Sequence, residues 1–466
     1  MVISHMGKKM NVLYVHTHDT GRYLTPYGYP AGTSRLQEFA KDALVFRKAF
    51  CVSPTCTPSR GAMLTGRYPH CNGLAGLTHR GFSLNNPGQH LAAYLHTQGF
   101  ATALSGVQHE EEFWLPRERG KRGANRLGYE TVLTDFSVTP GNPEEYLEWD
   151  KKNAKAAADF LKTYEKQRPF FLSYGLFSTH RPYPQIREEE RETFDCRYSP
   201  ISYGMEDNKE NREDMAGFLK SLHCCDRNFG IVLDALKAYG YYDSTIILVT
   251  TDHGLANPFS KCCLNDAGTG VALMMRVPGY GGSYGCVSDA LVSQLDVFPT
   301  ICRLLNLPEP FWLQGESFAE CFEDPKREAR EELIQEINFH TSYEPARSIR
   351  SRRYRYVRYL DEEWPWYNIS NCDESPAKAK LLENGWQEKR KSREYLYDLL
   401  FDPEEKINLA DDPEYQHVLE EFRRKLSRHM EETEDCILER ECYRKQYEVN
   451  KKQCTYPSIC TEDERE

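Results

Sequence analysis

No stretch of this 466-residue chain approaches the roughly 18 uncharged apolar residues that cross a bilayer, which excludes an integral helical membrane protein. No CxxC pair occurs among the 16 cysteines, so a structural zinc site of the usual spacing is not expected. Internal repeats and low-complexity tracts are lacking too. Excess positive charge is missing: 59 Lys and Arg stand against 70 Asp and Glu, and nothing argues for nucleic acid as a partner. From Phe401 onward, 19 acidic residues face 11 basic ones, so the acidity sits mainly at the C-terminal end. The glycine run Gly279-Tyr280-Gly281-Gly282 is followed by no helix pattern and does not fit a dinucleotide loop. No secretory leader is legible in residues 1–10, since a strand-like run begins at Asn11. With two adjacent cysteine pairs, Cys224-Cys225 and Cys262-Cys263, and no disulfide framework, the expectation is reduced thiols and a cytoplasmic protein without membrane attachment. The sequon Asn368-Ile369-Ser370 reads as a chance match.

What is present is the composition of a globular enzyme. Hydrophobic residues make up 40% and charged residues 28%, and 29 Tyr, 22 Phe and 6 Trp supply bulk for a large core. Buried-strand runs recur at Asn11–Val15, Thr102–Leu104, Phe170–Tyr174, Thr245–Thr250 and Val271–Val277. Helical patterns lie between them, at about Leu36–Phe46, Gln89–Gln98, Glu144–Glu165 and Arg212–Ala238, with another near Leu291–Leu305. Alternation of this kind predicts an α/β fold: a large, mostly parallel sheet sandwiched by helices. After Pro308 the texture changes. Tyr354–Tyr359 alternates like an antiparallel strand, Tyr395–Leu399 is a second short strand, and Glu414–Met430 is a helix. A boundary near residue 330 divides a catalytic region, 11–330, from a smaller C-terminal α+β domain, 331–466, with an antiparallel sheet and a charged tail.

In a parallel sheet, ligands bind beyond the carboxyl ends of the strands. Asp19, His109, His180 and Asp252 each follow such an end and are expected to converge on one rim. The most informative string is Cys56-Thr57-Pro58-Ser59-Arg60-Gly61-Ala62-Met63-Leu64-Thr65-Gly66-Arg67. Pro58 suits the first position of a helix, which places Cys56 just before a helix N-terminus. That end favours negative charge, and Arg60 and Arg67 are expected to bring guanidinium forks to it, making an anion-processing site around a nucleophile.

This string resembles the sulfatase pattern C-x-P-S-R-x-x-x-L-T-G-R at every fixed position. The resemblance continues in Thr251-Asp252-His253-Gly254, Leu396-Tyr397-Asp398-Leu399 and Asn408-Leu409-Ala410, and spans about Asn11 to Thr433. Within the family the chain is most similar to heparan N-sulfatases (sulfamidases), through Phe177-Ser178-Thr179-His180-Arg181, Gly268-Thr269 after Lys261, and Arg347-Ser348. The resemblance implies an alkaline-phosphatase-like fold and a catalytic Cα-formylglycine made from Cys56 by a sulfatase-maturing enzyme. Its hydrate attacks sulfur with one hydroxyl and expels sulfate through the other. It also implies one divalent cation held at His18, Asp19, Asp252 and His253. Calcium is usual in the family, but imidazole suits manganese or zinc better, and His18 stands where most sulfatases have Asp. Arg60, His109, His180 and Lys261 take catalytic roles by position, His180 as the acid for the leaving group, while Arg181 and Arg347 are expected to bind substrate. Val107 replaces a family lysine, which leaves the role of His109 open, and Glu110-Glu111-Glu112 equally suits a solvated loop. The implied substrate is a sulfated sugar, with the N-sulfate of glucosamine first and a second anionic or polar group matching the surplus of cations. The alternatives are a phosphonate monoester or phosphodiester hydrolase of the same superfamily, and a non-catalytic glycan-binding relative.

Overall fold

The computed structural model describes residues 10–111, 118–136, 140–437 and 449–454. The leader reading of residues 1–9, and Cys442 and Cys460 of the tail, lie outside the described residues.

An eight-stranded sheet forms the centre of the fold. Five parallel strands lie side by side in the order Thr131–Val132, Ala101–Gly106, Phe170–Gly175, Asn11–Thr17 and Thr245–Thr251. Leu273–Arg276 then pairs antiparallel to Thr245–Thr251, and Leu44–Phe46 and Val287–Ser288 complete the edge. Every residue of Asn11–Thr17 and Thr245–Thr251 is buried, because helices cover both faces.

Strand alternation decides which side chain meets which helix. Leu13, Val15, Leu172, Tyr174, Ile247 and Val249 pack against helices Pro143–Thr163 and Lys209–Ala238. Val12, Tyr14, Phe171, Ile246 and Leu248 turn the other way, against helices Cys56–Thr65, Leu91–Thr97 and Val297–Leu304. Each such aliphatic or aromatic side chain contributes roughly 1.5–3 kcal/mol by burial.

The second sheet is antiparallel, in the order Glu332–Phe339, Tyr343–Ser351, Tyr354–Tyr359, Glu394–Asp398. Helix Gln416–Glu432 covers it, laying Val418, Leu419, Phe422 and Leu426 on Ile349, Tyr356 and Leu396. Buried charges join the two sheets. Asp266 takes Arg350 and Arg355, Asp296 takes Arg330, and His70 pairs with Glu336. Burial opposes a charge on His70, but Glu336 outweighs it and raises the imidazole to about 10.

Two helix expectations need correction. The helix near Leu36–Phe46 ends at Ala40, and Leu44–Phe46 joins the sheet edge, since a short apolar run suits either state. The helix near Leu291–Leu305 begins at Val297, after the two-residue strand Val292–Ser293 and a turn capped by the Ser293 hydroxyl. Asn368 is buried, its side-chain oxygen accepting from Ser342 Oγ at 2.8 Å, which agrees with a chance sequon. Among the described residues, no helix is long and apolar enough to cross a membrane.

Candidate active site

The helix carrying the nucleophile position starts at Cys56 itself, with Thr55 as extended N-cap and Pro58 third rather than first. Gly66, at φ 66°, ends it in the left-handed conformation that glycine adopts without strain. Arg67 therefore lies beyond the opposite end, where it donates to Gln89 Oε1 at 2.9 Å. It does not join Arg60 at the Cys56 end, because ten residues of helix separate the two ends by about 15 Å.

Asp19 and Asp252 follow the ends of adjacent parallel strands, so the sheet register brings them together: the Asp19 amide donates to Asp252 Oδ1 at 2.9 Å. Asp19 holds φ 45°, a left-handed conformation that Asp tolerates better than most residues. The Asp252 carboxylate also receives Arg60 at 2.9 Å and lies 3.2 Å from His18 Nδ1. Burial pushes that carboxyl up, but His253, Arg60 and His18 outweigh it and hold it well below the usual carboxylate range. Arg60 is fixed on three sides, donating to Thr17 O at 3.0 Å, to Asp252, and to His16 Nδ1. Lys261 is 5% exposed and bridges Asp19 (3.3 Å) and Asp373 (3.1 Å). Burial disfavours its charge, but the two carboxylates more than restore it.

The residues fit a divalent cation. Donor atoms of His18, Asp19, Cys56 and Asp252 all lie within 4.8 Å of one another, and all four residues are buried. His253 supplies a further argument. Its Nδ1 donates to the Gly254 carbonyl at 2.9 Å, so in the neutral ring Nε2 is an acceptor. That Nε2 faces Asp19 Oδ1 at 3.2 Å and Cys56 Sγ at 3.3 Å. Two acceptors at that separation call for a cation or a shared proton between them. His18 is held neutral, lowered to about 3 by burial and then by Arg60, so its ring has a lone pair to offer.

The remaining expected residues divide. His180 reaches the rim: Nδ1 donates to Arg181 O at 2.6 Å, and the ring stacks on Phe177 at 4.9 Å and lies 5.5 Å from the His18 ring. His109 is buried 6.0 Å from His18, and the ring of His79 stacks parallel to it at 6.1 Å. Val107 is buried against Trp149 and Phe177. Glu110 and Glu111 are 1% and 2% exposed, so they do not form a solvated loop. Burial raises the Glu110 carboxyl against the pull of Arg60, while Glu111 takes Arg126 at 3.1 Å.

Arg181 and Arg347, expected to bind substrate, are both held in ion pairs. Arg181 is bidentate to Asp214 and also holds Asn257 and the Ala256 carbonyl. Arg347 is wholly buried and bidentate to Asp435. Both guanidiniums thus have carboxylate partners within the chain.

Sequence reasoning missed His16, His79, Glu110, His340 and Asp373. His16 stood in plain view two residues before His18, near the end of strand Asn11–Thr17. His340 and Asp373 come from beyond residue 330, and the mark of Asp373 is three-dimensional: it pairs with Lys261 at 3.1 Å.

A sulfatase family model matches residues 10–307, and a model of the N-sulphoglucosamine sulphohydrolase C-terminal region matches residues 252–390. The chain is 27% identical to N-sulphoglucosamine sulphohydrolase of Homo sapiens over 478 residues, covering 92% of this chain and 91% of that protein. It is 26% identical to an ulvan-active sulfatase of Formosa agariphila over 475 residues, covering 94% and 84%. A solved structure in complex with its substrate D-glucosamine-2-N,6-O-disulfate superposes at TM-score 0.69 and 16% identity, covering 92% of this chain and 99% of that one. A phosphonate monoester hydrolase from Silicibacter pomeroyi superposes at 0.65 and 19%, covering 92% and 96%. These two show a shared fold. With the family model extending over well more than half of the sequence, including Cys56, Arg60 and both strand-end aspartates, the chain belongs to the sulfatase family and is a sulfuric ester hydrolase.

Proposed function

We propose that the protein hydrolyses sulfate esters or sulfamates of a sulfated sugar, through a formylglycine made from Cys56 by a maturing enzyme and one divalent cation. The observation that carries this reading is the buried convergence of residue 56 with two strand-end aspartates, two imidazoles and the fixed cations Arg60 and Lys261. The sugar reading draws on the relatives, among them the human N-sulphoglucosamine sulphohydrolase and the ulvan-active sulfatase. Glucosamine N-sulfate is the first candidate, within glycosaminoglycan degradation.

His18, Asp19, Asp252, His253 and residue 56 would hold the cation, which supplies Lewis-acid polarisation of sulfate oxygens when bound. The aldehyde-derived group at 56 supplies the attacking oxygen. Arg60 and Lys261 are fixed cations that need no reorganisation as charge shifts onto the transferring group. His180, with Nδ1 committed to the Arg181 carbonyl, presents Nε2 to the departing oxygen or nitrogen, and as an imidazolium it would pass the Nε2 proton there. His109 lines the same rim. We read residues 11–330 as the catalytic region and 331–466 as the smaller C-terminal domain, which contributes Asp373 and His340 to the pocket wall.

The test is a panel of N-sulfoglucosamine, O-sulfated monosaccharides, polymeric heparan sulfate, an aryl sulfate and a phosphonate monoester. A sulfated sugar is expected to exceed the phosphonate in kcat/KM by at least about tenfold. Preference for the phosphonate would replace this reading with the phosphonate hydrolase one, and binding of the sugars without turnover would favour a glycan-binding role.

A second expectation concerns the cation. Chelation should lower both activity and melting temperature, since a ligand at 100 times its Kd stabilises a fold by about 2.7 kcal/mol. Manganese or zinc added back should restore both at least as well as calcium, because imidazole is a poor calcium ligand. A melting temperature and a rate indifferent to chelation would refute the site.

A further inference from the structure

His16 has no place in the chemistry described so far, yet it lies fully inside the site. Along the first strand Val12 and Tyr14 face the Cys56–Thr65 helix, and the same alternation sends His16 to that side, its ring stacked on Tyr14 at 4.7 Å. One of its nitrogens has a defined partner. Nδ1 meets Arg60, which can only donate, so Nδ1 is an acceptor. With Nδ1 accepting, the ring hydrogen sits on Nε2. The backbone has made room for this ring. A Cβ on Gly175 would come within 2.7 Å of His16 Cε1 and 2.1 Å of the Val107 oxygen. A Cβ on Gly106, at φ 82°, would strike the Gly175 carbonyl at 2.0 Å.

We propose that His16 is a positioning residue for Arg60, the neutral acceptor that sets the guanidinium plane toward the sulfate. The proposal rests on reading Arg60 as a sulfate-facing cation. Asp252 and the Thr17 carbonyl both bind NH2, whereas His16 holds NH1. Without His16 the guanidinium keeps its charge and its Asp252 partner but is free to rotate about that edge.

Two near-isosteric variants separate positioning from packing. In His16→Asn the side-chain oxygen falls where Nδ1 was and still accepts from Arg60. In His16→Gln the longer amide reaches toward Val107 and gives up the Arg60 acceptor. His16→Gln is expected to lose at least about tenfold in kcat/KM, the worth of one charge-assisted hydrogen bond, while His16→Asn stays within about threefold of wild type. Inorganic sulfate, followed by its effect on melting temperature, gives a second readout: its apparent affinity should fall about tenfold in the Gln variant and hold in the Asn variant. Wild-type behaviour of His16→Gln would overturn the proposal. So would losses in both variants that track their melting temperatures, which would mark His16 as a packing residue only. Either result, with wild type still turning over a sulfated substrate, leaves the sulfatase reading intact.

Discussion

Cys56→Ala and Cys56→Ser are each expected to lower turnover by about 10⁴-fold or more, the scale seen when a catalytic nucleophile is removed. The fold should survive. Cys56 is a small side chain at the first position of its helix, and loss of one buried sulfur costs on the order of 1 kcal/mol. The Ser variant is the sharper of the two. It keeps an oxygen in place, so near-wild-type activity would show that an ordinary hydroxyl suffices, and a mechanism needing two oxygens on one carbon would be wrong. Mass measurement of the peptide containing Cys56 completes the test, because replacing the thiol by an aldehyde makes it lighter. An active enzyme in which every such peptide retains its full thiol mass would remove formylglycine from the account.

Asp252→Asn should be nearly as damaging to activity and more damaging to stability. The carboxylate is the fully buried partner of Arg60, and removing one member of such a pair typically costs about 3–5 kcal/mol. Its charge is also one of the two carboxylates in the cation cluster, so metal content by elemental analysis should fall with activity. The pH dependence follows from its depressed carboxyl. A carboxyl lower in the folded state contributes stability that is fully present above the unfolded value, about 3.9, and is lost as pH falls toward the folded one. Denaturation of the metal-free proteins should thus show the full gap between wild type and variant at neutral pH and a shrinking gap in acid. An equal or wider gap in acid would mean that Asp252 does not stabilise the fold through its charge.

The sheet was legible in the sequence because its central strands are buried on both faces and read as continuous apolar runs, as in Asn11–Val15 and Thr245–Thr250. Leu44–Phe46 was not, because three apolar residues carry no period and the preceding helix pattern absorbed them. At the site, position after a strand end was enough to place Asp19, His180 and Asp252, and the string from Cys56 to Arg60 gave the helix end. Arg181 and Arg347 show what that kind of reading leaves out. Charge is visible in a sequence, but the partner that consumes it is not, and here the partners are Asp214, 33 residues downstream, and Asp435, 88 residues downstream. Asp373 is the reverse case: an unremarkable acid in a loop becomes important only because Lys261 lies against it.

The Lys261–Asp373 pair, together with His70–Glu336 and Asp266 with Arg350 and Arg355, bears on how this architecture can be recombined. The seam between the sheets is lined with charges whose counterparts lie across it. A chimera joining the first 330 residues of this chain to the second sheet of a relative would inherit Lys261, Asp266 and His70 with whatever happens to face them. A single mismatch leaves an uncompensated charge at the seam, and at Lys261 that defect would touch Asp19 directly. Exchange of substrate-facing loops within one half is therefore the more tolerant route to new specificities in this scaffold, and exchange of whole halves requires that the cross-seam pairs travel together.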